Sequence, residues 1–320
     1  MEKKRILLIQ NKKAGKHKND ENLVGFNAYH LGSIGVSITP DGKDALKEQL
    51  RIYKALGIEV IAICGGDGTI NFVMSAVVDV YNEEPKQHLP KFAFIPCGTM
   101  NTIPRGCGVK GRAIWLLHNL VRKMDRGEKF EIARMNTIQV DGRTGFLFAG
   151  GMVSAFMDDY YGKKDEIVTP WRAFTKVFLN ILLGIFRPKK FREKFKPFKG
   201  QLYVNNVAVY KGELSLPFVT TVPQIGFGAA PFNRVHEKAG HFQVLAFKKF
   251  SIWSLIREIP YAMIGTSNPY NGKINFVAKE VTFRSSDGTS MYYTIDGDMK
   301  RSESVTTTIS AGPVVEIIQQ

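Results

Sequence analysis

The apolar run Glu59-Val60-Ile61-Ala62-Ile63 passes directly into Cys64-Gly65-Gly66-Asp67-Gly68-Thr69-Ile70-Asn71, and this junction restricts the fold more than any other segment. A buried strand has to end in a glycine turn with a helix behind it, which is the repeating unit of parallel α/β sheets. Three glycines within four residues let main-chain N–H groups approach an anion, because no Cβ intervenes, and the helix points its positive end at the same place. The turn is built for phosphate. Asp67 at its tip is a carboxylate that a bare anion turn does not need.

The surrounding pattern extends this unit over residues 1–130. Strands are expected at Ile6–Gln10, Gly35–Thr39, Ile58–Ile63 and Phe92–Ile95, with helices near Glu21–Leu31, Asp44–Leu56 and Ile70–Tyr81. The turns Asn11–Lys18, Gly65–Thr69 and Pro96–Thr99 then fall at the carboxyl ends of strands, where open α/β sheets bind ligands. After about Glu131 the period changes to two, with short alternating runs to about residue 295, as in an antiparallel sandwich. The fold expected is an α/β nucleotide-binding domain over 1–130 and a β-rich, sandwich-like domain over 131–305. The strands at Thr306–Ile309 and Val314–Ile318, within 306–320, belong to either domain, a return to the first included.

Forty-four Lys and Arg against 29 Asp and Glu give a formal charge of +15, which calls for an anionic partner. No nucleic-acid recognition motif accompanies the charge, so a nucleotide or an acidic membrane surface is expected instead. Three cysteines without zinc spacing, and an N-terminus lacking a signal-peptide pattern, suit the reducing cytoplasm. The longest apolar stretch, Val177–Phe186, is about half of the ~20 residues that span a bilayer.

Two common phosphate-binding mechanisms fail on the residues. A phosphate-loop NTPase needs Gly-x-x-x-x-Gly-Lys-Ser/Thr, but Gln10 and His17 stand where the first Gly and the hydroxyl belong around Gly15-Lys16. The dinucleotide fingerprint fails at Asn71, where its third glycine belongs. No metal-spaced histidines and no Gly-x-Ser-x-Gly elbow are present.

Four elements together resemble the diacylglycerol kinase catalytic superfamily, which includes bacterial lipid kinases and sphingosine kinases. Asn11-Lys12-Lys13-Ala14-Gly15 resembles its turn after the first strand, and Gly65-Gly66-Asp67-Gly68-Thr69-Ile70-Asn71 its central signature. Pro96-Cys97-Gly98-Thr99-Met100-Asn101 with Arg105 resembles a third element, and Asp296-Gly297-Asp298 the C-terminal Asp-Gly-Glu. The resemblance implies an ATP-using, Mg²⁺-dependent lipid kinase with its active site in a cleft between two domains. ATP would be held by Asn11, Lys12, Gly15, Thr39, Gly65, Gly66, Asp67, Gly68, Thr69, Asn71, Gly98, Thr99 and Asn101. Asp298 would take the proton of a lipid hydroxyl, assisted by Asp296, with Asp67 beside the phosphates and any Mg²⁺.

This chain departs from the family pattern in several places. Phe72 and Thr102 replace common acidic residues, Asp298 replaces Glu, and Ala239 stands where many bacterial members carry a Mg²⁺-binding Asp, which removes the basis for that accessory metal site. In the residues themselves, Trp171, Phe174 and Phe178 form one apolar helical face followed by Lys189, Lys190 and further basic residues, a composition suited to peripheral contact with an anionic membrane. Two other readings stay open: a NAD kinase, which shares the Gly-Gly-Asp-Gly-Thr loop, and a catalytically lapsed, membrane-associating nucleotide-binding protein. Homodimer formation and the identity of the lipid are also open.

Overall fold

The computed structural model describes residues 4–12, 22–84, 88–153, 175, 179–180, 182–225, 228–248, 251–266, 268 and 272–319. Of the residues singled out from sequence, Gly15, Trp171, Phe174 and Phe178 lie outside them. The chain divides into two compact units, Met1–Met135 with Pro313–Gln320, and Asn136–Gly312.

The first unit is built on a six-stranded sheet of order β2-β1-β3-β4-β17-β5. Its strands are β1 (Ile6–Gln10), β2 (Gly35–Ile38), β3 (Val60–Gly65), β4 (Lys91–Pro96), β5 (Glu131–Met135) and β17 (Val315–Gln319). β1 to β4 pair in parallel, as their near-continuous apolar runs require of strands covered on both faces. Helices α1 (Asn22–His30), α2 (Lys43–Ala55), α3 (Asp67–Tyr81), α4 (Thr102–Gly106) and α5 (Ala113–Asp125) make the crossovers. α3 starts three residues earlier than its apolar periodicity predicts, because Asp67, Gly68 and Thr69 form its first turn.

β17 arrives from the far end of the sequence, parallel to β4 and antiparallel to β5. β5, whose alternation pointed to the second domain, is the edge strand of this sheet. An edge strand is covered differently from its neighbours, so it carries the same alternation as a strand of an antiparallel sheet.

The second unit holds an eleven-stranded sheet, and every pairing in it is antiparallel. Its strands are β6 (Ile138–Val140), β7 (Arg143–Gly145), β8 (Leu147–Gly150), β9 (Phe198–Val204), β10 (Val207–Thr220), β11 (Phe242–Phe247), β12 (Lys273–Ala278), β13 (Glu280–Ser285), β14 (Tyr292–Ile295), β15 (Asp298–Arg301) and β16 (Thr306–Ala311). β10 bends at irregularities between Ala208 and Tyr210 and between Ser215 and Phe218, pairing with β9 in its first half and with β8 and β11 in its second. Curling the sheet in this way encloses a core that includes Phe148, Phe242, Phe283, Tyr293 and Ile309. A second cluster, around Phe195, Phe218 and Phe232, lies under α6 (Pro188–Lys194) and α7 (Ile252–Met263).

Because β17 sits between β4 and β5, the core of the first unit depends on residues far away in sequence. Ile317 is fully buried there, and Ile317→Ala is expected to lower the unfolding free energy by about 3 kcal/mol, measured by urea titration.

Candidate active site

The carboxyl end of β1, the segment that follows β2 and the start of α3 surround a cleft of about 440 Å³ within the first unit. Its lining includes Asn11, Lys12, Thr39, Gly68 and Thr69, all singled out from sequence. Asn11 Nδ2 donates to Thr69 Oγ1 at 2.9 Å, which fixes the β1 turn against the first turn of α3. Gly66 is the N-cap of α3 and no side chain caps the helix. The positive helix end therefore opens on whatever enters the cleft. A Cβ added at Gly68 meets nothing within 4 Å, so the space beside that residue is open.

Gly66 and Gly98 serve differently. A Cβ on Gly98 would stand 2.5 Å from Gly66 Cα, so the β3–α3 and β4–α4 turns touch through their main chains. Gly65 is equally restricted, since a Cβ there would lie 2.5 Å from Thr69 Cβ. Asn101, at φ 50°, closes its own turn: its Oδ1 accepts from Gly98 N at 3.0 Å and its Nδ2 donates to Gly98 O at 2.9 Å. Thr99 is exposed at the tip of that turn, whereas Asn71 is buried in α3 and does not line the cleft.

Asp67 joins the two turns. Its Oδ2 accepts from Thr102 N at 3.0 Å and its Oδ1 from Ile103 N at 2.9 Å, so both oxygens serve the N-terminal amides of α4. Burial pushes this carboxyl above its ordinary range, and the two amides and Arg105 oppose that shift.

The lining also includes residues that the sequence motifs do not point to, among them Pro40, Asp41 and Phe72. The i,i+4 spacing from Gly68 puts Phe72 on the same side of α3, over the cleft. Thr39 does not cap α2, whose N-cap is Gly42.

In the second unit, Asp296 and Gly297 form the two-residue loop between β14 and β15, at φ 50° and 83°, while Ile295 pairs with Asp298. This is the Asp-Gly type I′ hairpin. Asp296 is buried, and its Oδ1 accepts from Phe146 N at 3.0 Å and from Leu147 N at 2.8 Å. Asp298 stands at the start of β15 with Oδ2 3.0 Å from Lys300 Nζ and 3.6 Å from Arg143 Nη1. A second Asp-Gly hairpin, Asp141-Gly142, supplies Arg143, and Asp141 Oδ2 accepts from Tyr293 Oη at 2.8 Å. Burial and this carboxylate raise the Tyr293 hydroxyl well above its ordinary value.

The loop at Ala239 is held without an acidic side chain. Asn136 Oδ1 accepts from Gly240 N at 3.1 Å and Asn136 Nδ2 donates to His241 O at 3.1 Å. Among the described residues there is no group of three or more His, Cys, Asp or Glu side chains able to hold a metal ion, and both Asp67 oxygens are engaged by amides. The described residues therefore offer no protein cage for Mg²⁺. The cleft does fit ATP: it combines a glycine-edged opening, an uncapped helix end, Lys12 and an apolar wall at Phe72.

Residues 5–130 match the diacylglycerol kinase catalytic domain family. The chain is similar to a diacylglycerol kinase of Bacillus subtilis (strain 168), 23% identical over 245 residues that cover 74% of this chain and 69% of the relative. YtlR of the same strain, which carries the name of a lipid kinase, is 23% identical over 253 residues covering 78% of this chain and 77% of YtlR. The fold is that of a crystal structure of a diacylglycerol kinase from Bacillus anthracis str. Sterne, with TM-score 0.66 at 14% identity, covering 99% of this chain and 97% of that one.

Gly68→Ala tests the cleft separately from the fold. Its Cβ has room, so stability is expected to hold or rise by about 0.5–1 kcal/mol, as for Gly to Ala in a helix, while ATP affinity measured by calorimetry falls about tenfold, or 1.4 kcal/mol. The Asp67 carboxyl makes a pH prediction. With its folded pKa raised, the stability tied to its protonated form is present below the ordinary 3.8 and lost as pH rises through the folded value. The unfolding free energy of the wild type minus that of Asp67→Asn should therefore decline as pH climbs from 3.8. A flat difference in urea titrations would sink this reading.

Proposed function

We propose, on the premise that this chain belongs to the diacylglycerol kinase catalytic superfamily through residues 5–130, that it transfers the γ-phosphate of ATP to a hydroxyl of a diacylglycerol-like or sphingoid lipid at a membrane surface. The observation that carries the proposal is the convergence of Asn11, Lys12, Thr39, Gly68 and Thr69 on one cleft at the carboxyl ends of parallel strands. ATP bound there supplies the phosphoryl group. Lys12 and the α3 N-terminus hold its phosphates by charge and by main-chain donors. The Asn11–Thr69 hydrogen bond and the Asp67 clamp keep those donors in place, which is the larger part of what phosphoryl transfer asks of a protein. Phe72 and Pro40 give the base or ribose an apolar wall.

On the acceptor side, Asp298 takes the lipid hydroxyl proton as that oxygen bonds to phosphorus and the bond to the leaving ADP breaks. Lys300 and Arg143 hold its Oδ2, which leaves Oδ1 to face the hydroxyl. Asp296 is a positioning residue, since its carboxylate is committed to the Phe146 and Leu147 amides. Residues Lys189 and Lys190, exposed on α6, support peripheral contact with an anionic membrane, and no described helix is long and apolar enough to cross one.

The test is a lipid panel with purified protein, Mg²⁺ and labelled ATP. Phosphorylation of diacylglycerol, a sphingoid base, ceramide or a polyprenol is expected. Asp298→Asn should cut kcat by about 10²-fold or more with ATP affinity unchanged, and Asp298→Glu should retain turnover. Asp296→Ala should lower thermal stability as well as rate, because it strands two amides. NADP formation from NAD, or nucleotide binding with no turnover of any lipid, would overturn the proposal.

A further inference from the structure

Helix α7 of the second unit packs Ile256 into the apolar cluster yet leaves several large apolar groups outside. Its only acidic residue, Glu258, turns inward and pairs with Lys273 at 3.7 Å, with side-chain exposures of 16% and 9%. Ser254 is buried on the same side. The outward face instead carries Trp253 (60% exposed), Ile259, Pro260, Met263 and Ile264 (72% exposed), with Arg257 its one charge. A helix surrounded by water keeps its carboxylates outside and its large apolar groups inside. Scattered apolar side chains on a surface need no explanation, whereas four large ones along one helix face mark an interaction site.

The neighbouring segment continues this face. Leu183, Ile185, Phe191 and Phe195 pack into the same apolar cluster as Ile256 of α7. On its outer side the segment exposes Phe186 (77%) together with Arg187, Lys189 and Lys190. Two elements that pack on one apolar cluster thus carry exposed apolar groups and fixed positive charge, with no carboxylate on the outward face of α7. A second copy of this chain would bring the same cations to the contact, so the charge disfavours self-association.

We infer that α7 lies in the interface of an anionic lipid bilayer, inserting Trp253, Met263 and Ile264 among the headgroups while Arg187, Lys189 and Lys190 meet anionic lipid. The arrangement is that of an interfacial helix, which buries its apolar face about 5–10 Å into the headgroup region and gains from nearby cations. The inference rests on the reading of this chain as a lipid kinase acting at a membrane, and names the element that holds it there.

The experiment is co-sedimentation with vesicles of equimolar phosphatidylglycerol and phosphatidylcholine, compared with phosphatidylcholine alone. The wild type is expected to prefer the anionic vesicles. Trp253→Glu with Ile264→Glu, and separately Lys189→Glu with Lys190→Glu, should each weaken binding by about tenfold or more. Ile52→Glu, exposed on α2 of the first unit, serves as the control and should bind as the wild type does. Wild-type indifference to vesicles, or unchanged binding by the α7 variant, overturns the inference. So does a change of molecular mass by light scattering in that variant with vesicle binding intact, which would identify a self-association face. If vesicle binding and its loss stand while no lipid is phosphorylated, the kinase reading falls alone. If lipids are phosphorylated and the α7 variant still sediments, the docking inference falls alone.

Discussion

The candidate nucleotide site depends on one carboxylate that faces main chain. Asp67 uses both oxygens on the first amides of α4, and Gly66 lies against Gly98, so two strand-to-helix turns become one piece. Each contact restricts the other. The amides reach Asp67 only because no Cβ separates the glycines, and the glycines stay in contact because the carboxylate joins the helices. Burying the charge raises its pKa, and the positive end of α4 with Arg105 offsets part of that cost. What results is a preorganised junction at the start of α3, so the main-chain donors there need not be ordered when a ligand arrives. The aspartate that an anion turn does not itself need is therefore explained by packing.

The sequence made the parallel half of the fold readable because its strands are apolar throughout and end in glycine. Where it misled, the local signal was ambiguous. The first turn of α3 contains Asp67, Gly68 and Thr69, which carry no apolar period, so the helix was placed from Ile70 onward. β5 alternates as an edge strand and was assigned to the wrong sheet, because alternation records a half-covered strand and says nothing of its partners. Helix α7 has a periodic apolar pattern, but Pro260 lies inside it, and a proline within a helical run reads as a break.

The site was legible to a similar extent. Asn11, Lys12, Thr39, Gly68 and Thr69 converge on one cleft, and each belongs to a local motif. The Asp67 contacts to Thr102 and Ile103, and the Tyr293 contact to Asp141, join residues far apart in sequence and could not be read from spacing. Asp296 combines a turn conformation with a carboxylate that clamps the Phe146 and Leu147 amides, a contact across about 150 residues that spacing does not reveal.

Three positions that are commonly acidic in the resembled family are neutral here, and the local physics at each is consistent with that. At 102 the residue is buried with its N–H on Asp67, so a second carboxyl would stand beside one whose ionisation already costs stability. At 72 the side chain lines the cleft, where an aromatic ring offers area to a nucleotide and adds no charge near its phosphates. At 239 the loop is braced by Asn136, whose amide donates and accepts as a charged side chain with a cation otherwise might. Removing three carboxylates moves the balance of the chain toward its excess of cations, +15 in all. That excess draws anions in general toward the surface and does not by itself select one, so any preference among anionic ligands has to come from local geometry such as the cleft beside Gly68.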